Sequence, residues 1–269
     1  MMRRTVVPIV LSAVLLGALD ASAQDQDPIK VELGIRGYTG EIQGRLRSGN
    51  VPSGFATNID LDTDMDSSAD ATGAGASITA RLQGGHVVSI EGWQYQADGS
   101  KVLDETLTFG GVNLPQGSTA STDVDLRVVS GKYLFGVSPE RDPLQIGVGI
   151  GGTVIHFKTD VSTSTGEQAS LNMRTIYATA QIALSYRISE AITLLAEGGF
   201  GMPSYAKESV EIQYPAEIRV GGRFYWKALT VEVGYQVFDA VLVEHERQPE
   251  EQRANINLSG IYFQLAARF

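Results

Sequence analysis

Four aspartates stand at alternate positions, Asp60, Asp62, Asp64 and Asp66, a run that puts oxygen donors where a calcium loop carries its first ligands. A calcium loop also needs a glycine at its sixth position and a distant bidentate glutamate, and this segment has neither. Asp60, Asp62 and Asp64 are therefore a weak metal candidate. The segment reads instead as a solvated loop with strand-like alternation, laid over a larger structure by Ile59, Leu61, Thr63 and Met65 on its other side. Acid-base chemistry near neutral pH would fall to three histidines, His86, His156 and His245. His86 stands beside Gly84-Gly85, His156 near a strand end, and His245 between Glu244 and Glu246, which makes His245 the candidate for an exposed general base. Gly147, Gly149, Gly151 and Gly152 alternate with Ile146, Val148 and Ile150, so they belong to a strand rather than a nucleotide-binding turn, and as small lumen-facing residues they leave room for long interior side chains. With no Gly-x-Ser-x-Gly, His-Glu-x-x-His or phosphate-binding loop, the sequence assigns no catalytic residue and no cofactor.

The elements that position these residues are strands. From Ile29 onward apolar residues recur at every second position, the period of β-structure. Ile261, Phe263, Leu265, Ala267 and Phe269 share one face against Gly260, Tyr262, Gln264 and Arg268. Leu229, Val231, Val233, Tyr235 and Val237 repeat the pattern, as do Ile218, Val220, Gly222, Phe224 and Trp226. Continued toward the N-terminus, the periodicity predicts ten strands, with eight as the second choice. Several exceed the 5 or 6 residues common in globular sheets and fit a tilted membrane crossing of about 9–11. His86 to Ala97 is ambiguous, because Val88 and Ile90 compete with Trp93 and Tyr95 for the outward face. Connections alternate in length. Gln83 to Gly85, Ser138 to Pro143, Ser189 to Ala191 and Lys227-Ala228 are short, whereas Thr39 to Asp70, Asp98 to Thr122, Thr159 to Asn172, Ala206 to Pro215 and Val243 to Ala254 are long and polar.

The first residues point to export. Arg3 and Arg4 precede an apolar run from Val6 to Leu19, followed by Ala21-Ser22-Ala23, so residues 1–23 read as a signal peptide and 24–269 as a single domain. At about 14 residues the run is shorter than the roughly 20 of a membrane-spanning helix. The chain has no cysteine, so no disulfide framework holds it. A formal net charge of −10 argues against nucleic-acid partners, which need clustered Lys and Arg.

Together these features predict an all-β fold, a closed antiparallel up-and-down transmembrane β-barrel. Backbone groups have no water to bond in a bilayer core, so strands cross it only as a closed ring. The apolar faces then meet lipid. Alternation sends Glu32, Arg36, Arg81, Glu91, Lys132, Arg187, Glu197, Arg219, Arg223, Glu232 and Arg268 into the lumen, where charges of both signs are expected to pair and plug a narrow barrel. Tyr133, Phe135, Tyr186, Phe224, Trp226 and Phe269 lie toward the short-turn ends, as an interfacial aromatic girdle would.

The final ten residues, Gly260 to Phe269, resemble the C-terminal strand of Gram-negative outer-membrane β-barrel proteins, in which the terminal aromatic, here Phe269, is the signal read by the barrel-assembly machinery. Ile59-Asp60-Leu61-Asp62 in the first long connection resembles small OmpA-like barrels of unassigned function, which implies no activity. The ten-stranded omptin proteases use paired aspartates with an aspartate–histidine pair. Asp60 and Asp62 could stand for the first, but no aspartate lies two residues before His245. The resemblance implies a monomer in the bacterial outer membrane, with membrane lipid, lipopolysaccharide and the assembly machinery as partners. Three functions follow as expectations: a structural or surface-interaction barrel closed by ion pairs, a narrow porin for small solutes, and, least supported, a loop-borne hydrolase.

Overall fold

The computed structural model describes residues 29–48, 58–66, 71–136, 143–201, 211–244 and 252–269. Residues 1–23, the expected signal peptide, and His245 lie outside them. The strands in chain order are β1 (Lys30–Ser48), β2 (Asn58–Asp60), β3 (Ala71–Arg81), β4 (His86–Val102), β5 (Leu107–Phe109), β6 (Val112–Leu114), β7 (Thr119–Gly136), β8 (Leu144–Thr163), β9 (Gln168–Arg187), β10 (Ile192–Gly201), β11 (Glu211–Trp226), β12 (Leu229–Glu244) and β13 (Gln252–Arg268).

Ten of them form an antiparallel ring in the order β1-β3-β4-β7-β8-β9-β10-β11-β12-β13. Pairing of β1 with β13, from Glu32 opposite Arg268 to Ser48 opposite Gln252, closes it. β2 is a short rib on the upper part of β1, and β5-β6 is a small hairpin within the β4–β7 connection. A register shift between Gln213 and Ala216 spans Pro215, which has no N–H for the ladder.

The outward faces are those expected of a lipid-facing wall. Val233 is 49 % exposed, Phe263 50 % and Ile150 69 %, whereas their strand neighbours Glu232 and Gln264 are buried inside. The six girdle aromatics, Tyr133, Phe135, Tyr186, Phe224, Trp226 and Phe269, are all exposed near the short-turn end.

Partway up the barrel, inside and outside exchange character. On β13 the outward row runs Phe269, Ala267, Leu265, Phe263 and Ile261, then turns polar at Ser259, Asn257, Asn255 and Arg253. Its inward row carries Gln264 and Arg268 near the chain end, then buries Leu258, Ile256 and Ala254. β4 behaves alike and settles its ambiguity: Val88 and Ile90 face out below the exchange, and Trp93 and Tyr95 face in above it. The upper strands thus follow the code of a water-soluble sheet, apolar in and polar out. That pattern also carries strands into stretches expected to be loops. β1 continues to Ser48, with Ile42 and Leu46 inside and Glu41, Gln43, Arg45 and Arg47 outside. β8 and β9 likewise extend through most of the expected loop from Thr159 to Asn172.

Two of the strand glycines of β8 are required by the backbone as well. A Cβ on Gly149 would lie 1.9 Å from the backbone oxygen of Tyr133, and one on Gly151 would lie 2.7 Å from that of Gly131. Close approach of β7 excludes a side chain there, whatever the interior needs.

Candidate functional site

The interior is layered. Near mid-height lies a belt of ion pairs centred on Arg219 of β11. Its guanidinium donates to both Glu91 oxygens, at 2.8 and 3.0 Å, and to Glu197 at 2.9 Å, and lies 3.6 Å from Glu217. These partners come from β4, β10 and β11 itself, so a contact across the barrel joins distant strands. Lys132 reaches Glu197 at 2.6 Å, and Arg36 lies 3.5 Å from Glu91 while donating to Gln264 and to Tyr38. Glu232 accepts from Arg223 at 2.6 and 2.8 Å and from the Tyr262 hydroxyl at 2.8 Å. Bidentate, charge-assisted bonds of this kind offset the desolvation that burying charge costs.

An aromatic layer rests on the belt. Tyr38 packs against Tyr95 with ring centroids 5.0 Å apart, Trp93 meets Phe238 edge-on at 5.7 Å, and the Arg36 guanidinium lies 5.0 Å from the Tyr262 ring centre. Above it the lumen is filled by Ile42, Leu46, Leu126, Ile155, Phe157 and Met173, among other buried apolar side chains. The charged interior is therefore only half of the barrel. Ion pairs alone were expected to plug the lumen, and a continuous hydrophobic core plugs its upper part.

Two connections complete that core from above. After β2 the chain makes a helical turn, with the N–H of Asp64 bonded to the carbonyl of Asp60 and that of Asp66 to Asp62. Asp60 accepts from the N–H groups of Asp62 and Thr63 at 3.0 and 3.2 Å, and Asp64 accepts from the N–H of Asp60 at 2.8 Å, a reciprocal cap. Burial tends to raise the Asp60 carboxyl, but these bonds and Arg45 at 3.4 Å hold it below its ordinary value. The turn replaces the expected strand-like alternation. Leu61 and Met65, four apart, fall on one side and are fully buried with Ile59, while Thr63 faces solvent. Asp60 and Asp64 serve as turn caps, Asp62 contributes its N–H to the first of them, and no group of three metal-ligating side chains occurs among the described residues. The β4–β7 connection contributes Leu103, Leu107, Phe109 and Leu114 to the same core. Lys101 bonds to the carbonyl of Thr63, tying the two connections together.

Below the belt a vestibule of about 540 Å³ opens at the short-turn end, and all eleven charged residues expected in the lumen line it. The belt gathers Arg36, Glu91, Lys132, Glu197 and Arg219, and Arg223 pairs with Glu232. Glu32, Arg81, Arg187 and Arg268 stand toward the mouth without an ion pair to a described residue. Glu217 and Tyr262 are belt members that sequence reasoning did not single out, although both fall on inward positions of their strands. The histidines hold no catalytic arrangement among the described residues: His86, at the rim of the vestibule, bonds to the Tyr133 hydroxyl at 2.7 Å, and His156, on the outer surface, to Asn172 at 2.8 Å.

No family model and no curated protein sequence matches the chain. Among solved structures, the outer membrane protease OmpT from Escherichia coli aligns over 93 % of this chain and 99 % of its own, with a TM-score of 0.51 and 13 % identity. The translocator domain of the autotransporter NalP from Neisseria meningitidis covers 91 % and 90 %, with a TM-score of 0.47 and 13 % identity. Ail of Yersinia pestis covers 90 % and 99 %, with a TM-score of 0.38 and 11 % identity. At such identities likeness speaks for the fold alone. The chain has the fold of an outer-membrane β-barrel, a ring of ten antiparallel strands with its lipid-facing residues on the outside.

Proposed function

We propose that this chain is a non-conducting barrel of the bacterial outer membrane with a structural or surface-interaction role. The observation that carries this reading is the apolar core of the upper barrel, sealed by Ile59, Leu61 and Met65 from one connection and Phe109 and Leu114 from another. A hydrated path for ions or solutes would have to cross that core and the Arg219 belt beneath it. The stretch from Gln252 to Ser259 on β13, with its polar outward row, would raise a solid shaft about 20 Å above the lipid at ordinary strand rise and tilt. Its surface alternates polar and charged groups, suited to contact with lipopolysaccharide sugars, a matrix or a protein. Asp60, one of the acids that a loop-borne hydrolase would use, is engaged in capping its own turn, which speaks against the protease reading.

In the same reading, residues 1–23 direct export and are removed after Ala23, Phe269 is presented to the barrel-assembly machinery, and the folded barrel is a monomer among lipid and lipopolysaccharide. The test is conductance. Purified protein inserted in planar bilayers should give no steady single-channel steps, and reproducible currents that change when Arg223 or Glu197 is neutralised would establish the porin instead.

A further inference from the structure

The vestibule at the short-turn end is a blind chamber, closed above by the belt and core and open to one side only. Among the described residues, eight cationic side chains and four carboxylates line it, an excess of four positive charges in a chain whose formal charge is −10. Three of the carboxylates, Glu91, Glu197 and Glu232, are already bonded to Arg219, Lys132 and Arg223. Among the described residues that line the chamber, Glu32 is the one carboxylate without such a bond, and Lys30, Arg81, Arg187 and Arg268 line the chamber with it.

The register concentrates this charge. Lys30 and Arg81 are direct partners on β1 and β3, both inward, and like charges so placed repel. Arg268 stands opposite Glu32 on β13; it donates to the backbone oxygen of Lys227 at 2.5 Å, but its buried Nε has no hydrogen-bond partner. That Nε is shut off from solvent, so what Arg268 offers an oxyanion in the chamber is its charge. The walls are protein and lipid, so the field of the unpaired cations is focused at the mouth rather than dispersed in water. A volume of about 540 Å³ lies within the range of small-ligand sites.

We propose that this chamber is a periplasm-facing binding site for a multiply charged oxyanion, a small molecule or group bearing phosphates or carboxylates. Lys30, Arg81, Arg187 and Arg268 hold it, and Glu32 sets the inner limit of its approach. The site takes from the proposed function only the closure of the far end; a conducting barrel would show as current, an absent site as lost binding.

The chain has no cysteine, so a single one at Thr79, which lines the chamber, reports on it directly. In the full mature protein in neutral detergent, Thr79→Cys should react at least tenfold faster with a sulfonate-bearing thiosulfonate reagent than with its ammonium counterpart, and pyrophosphate should protect it. Calorimetry with pyrophosphate, and with citrate to separate phosphate from carboxylate preference, should show saturable binding at low salt. Arg81→Gln combined with Arg187→Gln should weaken binding at least tenfold, while Arg253→Gln on the outer surface leaves it unchanged. Circular dichroism and heat-modified gel mobility identify variants that keep the folded barrel, and Arg81→Gln alone is read if the pair does not. Equal labelling rates, no saturable binding of either anion, or binding indifferent to the arginine substitutions would overturn the proposal.

Discussion

Replacing Arg219 by methionine tests whether the belt is a dry, structural element. The change removes three hydrogen bonds of 2.8 to 3.0 Å to Glu91 and Glu197 and leaves both carboxylates inside the barrel. Breaking a buried charge network by deleting one partner costs about 3–5 kcal/mol. The lower end applies here, because Glu91 keeps Arg36 at 3.5 Å and Glu197 keeps Lys132 at 2.6 Å. The expected loss is therefore about 3 kcal/mol. Adding Glu91→Gln to Arg219→Met removes one stranded charge and should restore at least about 1 kcal/mol, a coupling within the range of contacting residues. Urea unfolding of the protein from lipid vesicles, followed by tryptophan emission, measures both numbers. Trp93 reports the interior and Trp226 the lipid surface. A loss under about 1 kcal/mol, the size of a solvated pair, would refute the reasoning and imply a water-filled lumen.

On β12, Val233→Arg should cost roughly 2–4 kcal/mol in the same assay, because the position faces lipid. Asn257→Arg on the outward row of the upper β13 should change stability by no more than about 0.5 kcal/mol. Phe157→Ala should cost about 3–5 kcal/mol by opening a cavity in the upper core, and equal stability to the parent would contradict the sealed interior. Asp60→Ala should cost about 1 kcal/mol through the lost turn cap, seen as faster proteolysis of the β1–β3 connection. Because the folded-state value of Asp60 is depressed, its contribution is present above the ordinary value of 3.8 and is lost as pH falls through the lower folded value. Parent protein should thus gain protease sensitivity in strong acid, and Asp60→Ala should show a weaker dependence.

The ring, the strand number and the lipid-facing rows were legible because alternation over nine residues, as in Ile261 to Phe269, is hard to mistake for anything else. The upper half was not, because the alternation keeps its period but changes its sign. Ile42 and Leu46 between Glu41, Gln43, Arg45 and Arg47 look like a polar loop to a reading that expects apolar residues outside. Val88 and Ile90 against Trp93 and Tyr95 looked contradictory for the same reason: both sets obey the rule of their own level. Inward parity placed the eleven charges on the vestibule side, but which cation meets which carboxylate depends on contacts across the ring. Arg219 finds Glu91 128 residues away, a pairing that no local spacing records. The Asp60 to Asp66 run was misread in conformation, since alternate aspartates suit a strand as well as a capped turn; reciprocal caps with Leu61 and Met65 four apart decide for the turn.

The level at which the faces trade character acts as a waterline. Arg127, His156 and Arg174 are cross-strand partners in the first outward row above Val129, Val154 and Ile176. Were the barrel to settle deeper, these groups would enter hydrocarbon, at a penalty rising toward about 2–4 kcal/mol per cation at the midplane. Were it to ride higher, Ile261 and Val237 would be wetted. A body balanced in this way keeps a constant draught, so a thicker or thinner bilayer has to deform around it while the summit stays at one height above the cell.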